Sequence, residues 1–213
     1  MILSQLSSMP PYKTFTYIIG CKNSLEGAVI DPSADVDSII DEINSTGVNL
    51  KYIINTHNHP DHTVDNYKLK QATKAKIIQH KNSSAGDVKI TDKEIISLGD
   101  LELHFFHTPG HTDHDICIKV GKELFTGDTL FVGKVGGTKD KNCAKTQFES
   151  LKRLMELPED VKVWPGHDNG FYQSSTIGYE KNNNPFCLRL HDFDEFYYLK
   201  ENWQDFKEKH GLI

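Results

Sequence analysis

The sequence has little cysteine, and its cysteines do not form a structural motif. Cys21, Cys117, Cys143 and Cys187 are scattered along 213 residues, with no Cys-x-x-Cys pair among them. This spacing excludes a zinc ribbon and a disulfide scaffold as the basis of the fold. Free thiols are typical of a reducing compartment, so we expect the protein to be cytoplasmic.

The sequence also lacks a long hydrophobic run. No stretch approaches the roughly 20 apolar residues that a membrane-spanning helix needs. Residues 1–11 have no basic segment, and their apolar stretch is too short for a signal peptide. We therefore expect no membrane partner.

An excess of basic residues is absent as well. Lys and Arg total 24 against 30 Asp and Glu, which gives a formal net charge of -6. Such a chain repels a phosphate backbone on average, so we expect no nucleic-acid partner. The length allows one large domain with a substantial core. Because no repeat or low-complexity linker divides the chain, we predict one domain over residues 1–187 with a helical C-terminal appendage over 188–213.

Apolar patterns predict a chain in which strands and helices are mixed. Runs rich in β-branched and aromatic residues predict strands at residues 13–19, 28–30, 50–54, 76–79, 95–98, 101–106, 116–120, 123–125 and 161–164. Apolar residues at helical spacing predict a helix that begins after Ser33 or Asp35 and ends at Gly47. Further helices are predicted over residues 65–73, 148–155 and 192–209. The aromatic residues of the last helix favour packing on the domain over lining a ligand site.

The densest group of potential metal ligands follows the strand at residues 50–54. It consists of His57, His59, Asp61 and His62. Residues i and i+2 of an extended segment face the same side, so His57 and His59 can bind one ion together. The chain should turn into a helix at Pro60, so Asp61 and His62 point elsewhere and suit a second ion nearby. The alternative is a polar loop with incidental histidines, but imidazoles and carboxylates this dense would repel or desolvate each other without a cation.

Three more potential ligands follow predicted strands. They are His111, Asp128 and His167, and each is preceded by glycine or by Pro-Gly. Glycine and proline allow the sharp turns that aim a side chain at a metal. Loops at one edge of a sheet converge in space, so these residues can join the first group in one site.

Together these motifs resemble the metallo-β-lactamase superfamily. Residues 57–62 read His-Asn-His-Pro-Asp-His, and Thr-Pro-Gly-His, Thr-Gly-Asp-Thr-Leu-Phe and Pro-Gly-His contain His111, Asp128 and His167. Within the superfamily the chain is most similar to the glyoxalase II-like hydrolases (hydroxyacylglutathione hydrolases). The resemblance implies an α/β fold, a four-layer αββα sandwich with two mixed sheets face to face, and metals at one edge.

The resemblance also implies a ligand set and a chemistry. His57, His59 and His111 would bind a first metal, and Asp61, His62 and His167 a second. Asp128 would bridge the two ions, with a hydroxide as the other bridge, and Asp61 would also orient this hydroxide or accept its proton. The expected cofactors are two divalent ions, zinc first, with iron and manganese left open. The expected substrate is a small-molecule thioester such as S-acylglutathione.

Several positions depart from the glyoxalase II-like pattern. These hydrolases recognise glutathione partly through a Tyr soon after the last histidine, where this chain has Asn169. They also use an aromatic, basic loop, where residues 133–140 read Gly-Lys-Val-Gly-Gly-Thr-Lys-Asp. Lys134 and Lys139 either meet an anionic substrate or belong to a solvated loop. Glycine is usual where His114 stands, so His114 is either a partner of a ligand or a surface residue.

Other activities stay open. Persulfide dioxygenases share the fold and nearly the same motif but use one iron. Their loop typically carries Gly-Arg-Thr where this chain has Gly-Gly-Thr at residues 136–138, which argues against that activity. The acidic balance disfavours a nucleic-acid-processing enzyme. The presence of all seven ligands disfavours a non-catalytic binding module, because buried unfilled ligands are costly.

Overall fold

The computed structural model describes residues 1–170 and 172–211, and these contain two large β-sheets. The first sheet has the strand order β1 to β6. Its strands are Ile2–Ser7 (β1), Phe15–Gly20 (β2), Glu26–Ile30 (β3), Asn49–Ile54 (β4), Lys76–His80 (β5) and Val88–Ile90 (β6). Strands β1 to β3 are antiparallel neighbours, whereas β3 to β6 run parallel.

The second sheet is built from the later part of the chain. Its strands are Ile95–Leu98 (β7), Leu101–His107 (β8), Ile116–Val120 (β9), Glu123–Gly127 (β10), Lys162–Pro165 (β13) and Ser175–Thr176 (β14). The order across the sheet is β14-β13-β10-β9-β8-β7, and only the pairing of β10 with β13 is parallel within the described chain. A small ribbon, Leu130–Phe131 (β11) with Lys134–Val135 (β12), follows β10.

Helices lie between the strands along the chain, and most of them pack on the outer faces of the two sheets. They are Val36–Thr46 (α1), Pro60–Thr63 (α2), Asn66–Thr73 (α3), Lys141–Met155 (α4), Ile177–Asn183 (α5), Phe193–Glu201 (α6) and Trp203–His210 (α7). Helix α1 begins after Asp35, whose side chain accepts a hydrogen bond from the Ser38 amide, and it ends at Gly47 in the left-handed conformation. No helix of the described chain combines the length and hydropathy needed to cross a bilayer.

Three apolar clusters define four layers. Tyr17, Ile54, Phe105 and Phe125 belong to the cluster between the two sheets. The outer face of the first sheet packs on α1 and α3, in a cluster that includes Ile39, Ile43 and Leu69. The outer face of the second sheet packs on α4 and α6, in a cluster that includes Phe148, Leu151, Phe196 and Leu199. Burial of each such side chain contributes about 1.5–3 kcal/mol. The predicted αββα fold is confirmed.

Some elements differ from the sequence prediction. The sequence analysis did not predict β1, because its polar residues hide the alternation of an edge strand that pairs, among the described strands, with β2 alone. The predicted helix over residues 192–209 is two helices that meet at Asn202. Phe193 and Phe196 pack edge-on against Phe148, as expected for a packing role. The domain division at residue 187 stays a prediction, and residues 212–213 of its appendage lie outside the described part.

Candidate metal centre

Three histidines form a first cluster at the ends of β4 and β8. The Nδ1 atom of His59 lies 3.0 Å from Nε2 of His57 and 3.0 Å from Nε2 of His111. His57 and His59 come from the loop after β4, and His111 follows β8 of the other sheet. The structure thus brings together the three residues expected to hold the first ion.

A second cluster lies beside the first. The Nε2 atoms of His62 and His167 are 3.1 Å apart. Oδ2 of Asp61 lies 3.4 Å from Nε2 of His167 and 3.9 Å from Nε2 of His62. Asp61 and His62 are in the short helix α2, after the turn at Pro60, and His167 follows β13. Asp61 and His62 thus face His167, and the His62 ring also lies 4.1 Å from the ring of His57, so the two clusters adjoin.

Asp128 lies between the clusters. Its Oδ1 is 3.4 Å from Nε2 of both His62 and His167, while its Oδ2 is 3.6 Å from Nε2 of His111. The Oδ1 atom is buried and has no hydrogen-bond partner among the described residues. A buried carboxylate oxygen without a donor is costly unless a cation is bound to it.

The facing ring nitrogens also suit a cation. Nδ1 of His111 donates to the Gly137 carbonyl at 2.8 Å, and Nδ1 of His167 donates to the Tyr12 carbonyl at 2.9 Å. Nδ1 of His62 donates to the Asp31 carboxylate at 2.9 Å. In a neutral ring that has its proton on Nδ1, the Nε2 atom carries a lone pair. The Nε2 atoms of neutral His62 and His167 would therefore face each other at 3.1 Å with two lone pairs, which repel. Imidazole and carboxylate donors suit zinc, iron(II) or manganese, so the residues fit a pair of divalent ions.

Comparison with known proteins identifies the family. The sequence profile described as metallo-beta-lactamase superfamily matches residues 9–85 and 80–167. The chain belongs to this superfamily. The chain is an enzyme of this superfamily. Members bind divalent metals, and the His/Asp clusters of this chain could hold such ions.

Similar proteins within the superfamily include a hydroxyacylglutathione hydrolase and a persulfide dioxygenase. The chain is 34% identical to a hydroxyacylglutathione hydrolase of a Polaromonas species, over 79% of this chain and 67% of that protein. It is 32% identical to the human mitochondrial persulfide dioxygenase ETHE1, over 81% and 70%. Its fold matches the crystal structure of ETHE1 from Myxococcus xanthus with a TM-score of 0.88 and 32% identity, over 95% of this chain and 91% of that chain. The likeness to hydroxyacylglutathione hydrolases is confirmed, and the substrate is not decided by these comparisons.

The surroundings shift the pKa values of three candidate ligands in this superfamily member. The shifts favour the ligating form of His57 and of Asp128 and oppose that of His62. Burial lowers the pKa of His57 well below its ordinary value, which keeps the ring neutral. Burial would raise the pKa of Asp128, but His62 and His167 outweigh it and hold that pKa well below its usual range. Burial also disfavours protonation of His62, but Asp31 and Asp128 raise its pKa well above the ordinary value. His62 must therefore lose a proton when it binds an ion.

Asp31 is a functional residue that the sequence analysis missed. Its Oδ1 accepts from the Thr56 amide at 2.8 Å, and its Oδ2 accepts from the Thr56 hydroxyl at 2.6 Å as well as from His62. The Thr56 hydroxyl lies 3.1 Å from Nδ1 of His57. One carboxylate thus orients His62 directly and His57 through Thr56, as outer partners of metal ligands do. Asp31 has a φ of 49°, which Asp tolerates better than most residues.

Close backbone packing explains two glycines beside the ligands. Gly127 has a φ of 48°, the left-handed region, and directly precedes Asp128. A Cβ at Gly166 would lie 2.5 Å from Oδ1 of Asp128. Gly166 therefore leaves room for the Asp128 carboxylate, and Gly127 leaves room for Thr56.

His114 and Cys143 lie outside both clusters. His114 contacts the ligand loop, with Nε2 2.7 Å from Oδ1 of Asn58 and Nδ1 2.6 Å from Oδ1 of Asp113. Because Asn58 separates His57 from His59, His114 is a neighbour of the ligands rather than one of them. The Cys143 amide donates to the Asp140 side chain at the start of α4, and its thiol borders a surface groove that also includes His111.

Proposed function

We propose that the protein is a dinuclear metal-dependent hydrolase that cleaves a small-molecule thioester, such as S-acylglutathione or another acyl thiol. The observation that carries the proposal is the position of Asp128, whose two oxygens face two different ligand clusters. A shared carboxylate supports two neighbouring ions, for which we propose zinc, and His57, His59, Asp61, His62, His111, Asp128 and His167 as ligands. Divalent ions at such a site supply an activated water and polarise a carbonyl oxygen.

The side chains around the clusters would complete the reaction. Asp61 is partly exposed, and only its Oδ2 faces His167, at 3.4 Å. We assign it the role of orienting the attacking water or accepting its proton at a carboxylate oxygen. A thioester is a suitable substrate because a thiolate leaves readily, so the chain need not supply a strong general acid.

A cleft beside the clusters would receive the thiol carrier. Its volume is about 320 Å³, and it is lined in part by Phe131, Lys134, Gly137 and Trp203. The Phe131 ring lies 5.8 Å from the ring of His167, which connects the cleft to the second cluster. Lys134 is partly buried at this cleft, and its Nζ lies 5.2 Å from the Phe131 ring. Its charge favours an anionic carrier.

The setting that we propose is the reducing cytoplasm. The four cysteines are free thiols, and three of them are buried, which supports a compartment that keeps thiols reduced. We propose a small molecule as the partner, with neither nucleic acid nor membrane as a binding target. The net charge of -6 supports the first of these exclusions.

The second candidate is a persulfide dioxygenase. The similarity to ETHE1 from Myxococcus xanthus, over 95% of this chain, favours it. Against it, the second cluster is as closely spaced as the first, with a shortest contact of 3.1 Å against 3.0 Å. A second compact donor set supports use of two ions.

The decisive experiment combines metal analysis with two assays. Purified protein is analysed for zinc, iron and manganese, then tested against a panel of thioesters and for oxygen uptake with glutathione persulfide. We expect two ions per chain and thioester turnover without oxygen uptake. His59→Ala should abolish turnover and remove an ion, whereas His104→Ala, on β8 away from the clusters, should do neither. One iron per chain with oxygen consumption would establish the second candidate instead.

A further inference from the structure

The last turn of α6 contacts the loop after β12, which accepts a hydrogen bond from His111. Nζ of Lys200 donates to the Gly136 carbonyl at 2.9 Å and to Oε1 of Gln147 at 2.7 Å. The next carbonyl in the loop, that of Gly137, accepts from Nδ1 of His111 at 2.8 Å. A side chain of the C-terminal segment is therefore two hydrogen bonds and one peptide unit from a candidate metal ligand.

Gln147 connects the same lysine to the other side of His111. It is fully buried on α4, and its Nε2 donates to the Gly136 carbonyl at 3.1 Å. Its backbone also packs directly against Gly110, so closely that no Cβ fits there. Gln147 thus contacts both Gly110, the residue before His111, and the loop whose carbonyl accepts the hydrogen bond from His111. By donating to Oε1 of Gln147, Lys200 favours the amide orientation in which Nε2 faces the Gly136 carbonyl.

We propose that Lys200 is a positioning residue, which fixes the tautomer and orientation of His111 through Gly136 and Gln147 and so sets the affinity of the three-histidine cluster for its ion. The inference rests on the proposed metal site but not on the substrate. Outer partners of metal-ligating histidines fix the ring orientation and the ring nitrogen that carries the proton. Here such support comes from a helix about 90 residues later in the sequence.

The surroundings of Lys200 fit a positioning role. Its ammonium group lies 5.7 Å from the Phe186 ring and 5.6 Å from the Phe196 ring. Both of its hydrogen bonds go to neutral oxygens. Burial lowers the pKa of Lys200 to about 8, so the charge is disfavoured here. Both protonation states of the amine have N–H donors, so the two hydrogen bonds do not depend on the charge.

The alternative role is direct contact with an anionic substrate, because Lys200 also borders the cleft that contains Lys134. The two roles differ in what a variant changes. Loss of a substrate contact raises the Michaelis constant and leaves metal affinity unchanged. Loss of a positioning residue weakens the binding of one ion in the absence of any substrate.

The test is zinc binding to full-length Lys200→Met, measured by competition with a chromophoric chelator. Methionine keeps the apolar stem and removes the donors. We expect one of the two binding constants to fall about tenfold, within the range for outer partners of metal ligands. Lys209→Met, at an exposed position of α7, should bind both ions as the wild type does. Gln147→Met should match Lys200→Met, and the double variant should lose less than the sum because both act through Gly136.

A second readout avoids metal altogether. In the metal-free protein labelled with ¹⁵N-histidine, the Nδ1–H signal of His111 should be present in the wild type and exchange-broadened or shifted in Lys200→Met. If Lys200→Met does not fold, Gln147→Met, which removes the other side-chain donor to the Gly136 carbonyl, takes its place.

Two results would overturn the inference. They are zinc constants within twofold of the wild type together with an unchanged His111 signal, or a rise in the Michaelis constant alone. Two bound ions without thioester turnover would end the proposed function and leave the positioning role intact. A wild-type chain that bound no ion would end both.

Discussion

Replacement of Asp31 by asparagine tests whether one carboxylate orients ligands of both clusters. Asparagine has the same size and tolerates the positive φ of 49°, so the backbone at this position should not change. The carboxylate presents two oxygens to three donors: the Thr56 amide at 2.8 Å, the Thr56 hydroxyl at 2.6 Å and Nδ1 of His62 at 2.9 Å. The amide offers only one oxygen, with an NH₂ group in the place of the other.

Both orientations of the new amide are unfavourable. If NH₂ takes the Oδ2 position, it faces His62 and forces the tautomer that has its proton on Nε2, the atom directed at the candidate ion. If NH₂ takes the Oδ1 position, it faces the Thr56 N–H group. Either way a hydrogen bond to a charged group is lost, worth about 1.5–3 kcal/mol. In the first orientation the loss falls on His62 and corresponds to an affinity for the second ion that is about 10–100-fold weaker.

The assay is a zinc titration in competition with a chromophoric chelator, with thermal unfolding of the metal-free protein to verify the fold. Asp37→Asn, at an exposed position on α1, is the matched control and should bind zinc normally. Thr56→Val removes the hydroxyl next to His57 but keeps the contact between Asp31 and His62, so it should weaken the first ion more than the second. Wild-type affinity for both ions in Asp31→Asn would refute this reasoning.

Three further predictions concern the shared carboxylate and proton release. Asp128→Asn should weaken both ions by more than about tenfold, and an unchanged metal content by elemental analysis would argue against a bridge. Gly166→Ala places a Cβ 2.5 Å from Oδ1 of Asp128, so zinc affinity should fall, and wild-type affinity in this variant would contradict the close-packing argument. Because Asp31 and Asp128 outweigh burial and raise the pKa of His62, zinc must displace its proton, and affinity should rise by up to about tenfold per pH unit through neutral pH. Calorimetry in buffers of different ionisation enthalpy would measure that proton, and a pH-independent affinity would contradict the assignment.

The candidate ligands could be predicted from the sequence because their signals are local. Four of them lie within six residues, and the density of imidazole and carboxylate there is visible without any knowledge of the fold. The other three follow strands and are preceded by glycines that a close approach requires, as Gly166 illustrates beside Asp128. Strand ends at one sheet edge converge, so the grouping into one site could also be inferred.

The residues that orient the ligands could not be predicted in the same way. Asp31 reads as the end of a strand, and nothing near it in the sequence indicates a contact with His62, 31 positions later. Lys200 reads as one lysine of an aromatic helix, and its bond to Gly136 joins residues 64 positions apart. Such long-range contacts form only when the sheets and helices of the fold pack together. Strand β1 was not predicted for a similar reason, because it depends on pairing with β2, its only described neighbour in the sheet.

The two sheets and the candidate centre depend on each other. His57 to His62 extend from the first sheet, whereas His111, Asp128 and His167 extend from the second. Backbone hydrogen bonds from Phe15 to the Gly166 carbonyl and from Ile116 to the Thr56 carbonyl, each 2.8 Å, join the sheets beside the ligands. An ion shared by both sheets would add a further connection at this edge, present only in the folded state. Binding of this kind stabilises the fold by mass action, by about 4 kcal/mol when the free ion is 1,000-fold above its dissociation constant. Residues that orient the ligands, such as Asp31, therefore influence stability in two ways, through their own buried hydrogen bonds and through the ions that the oriented ligands bind.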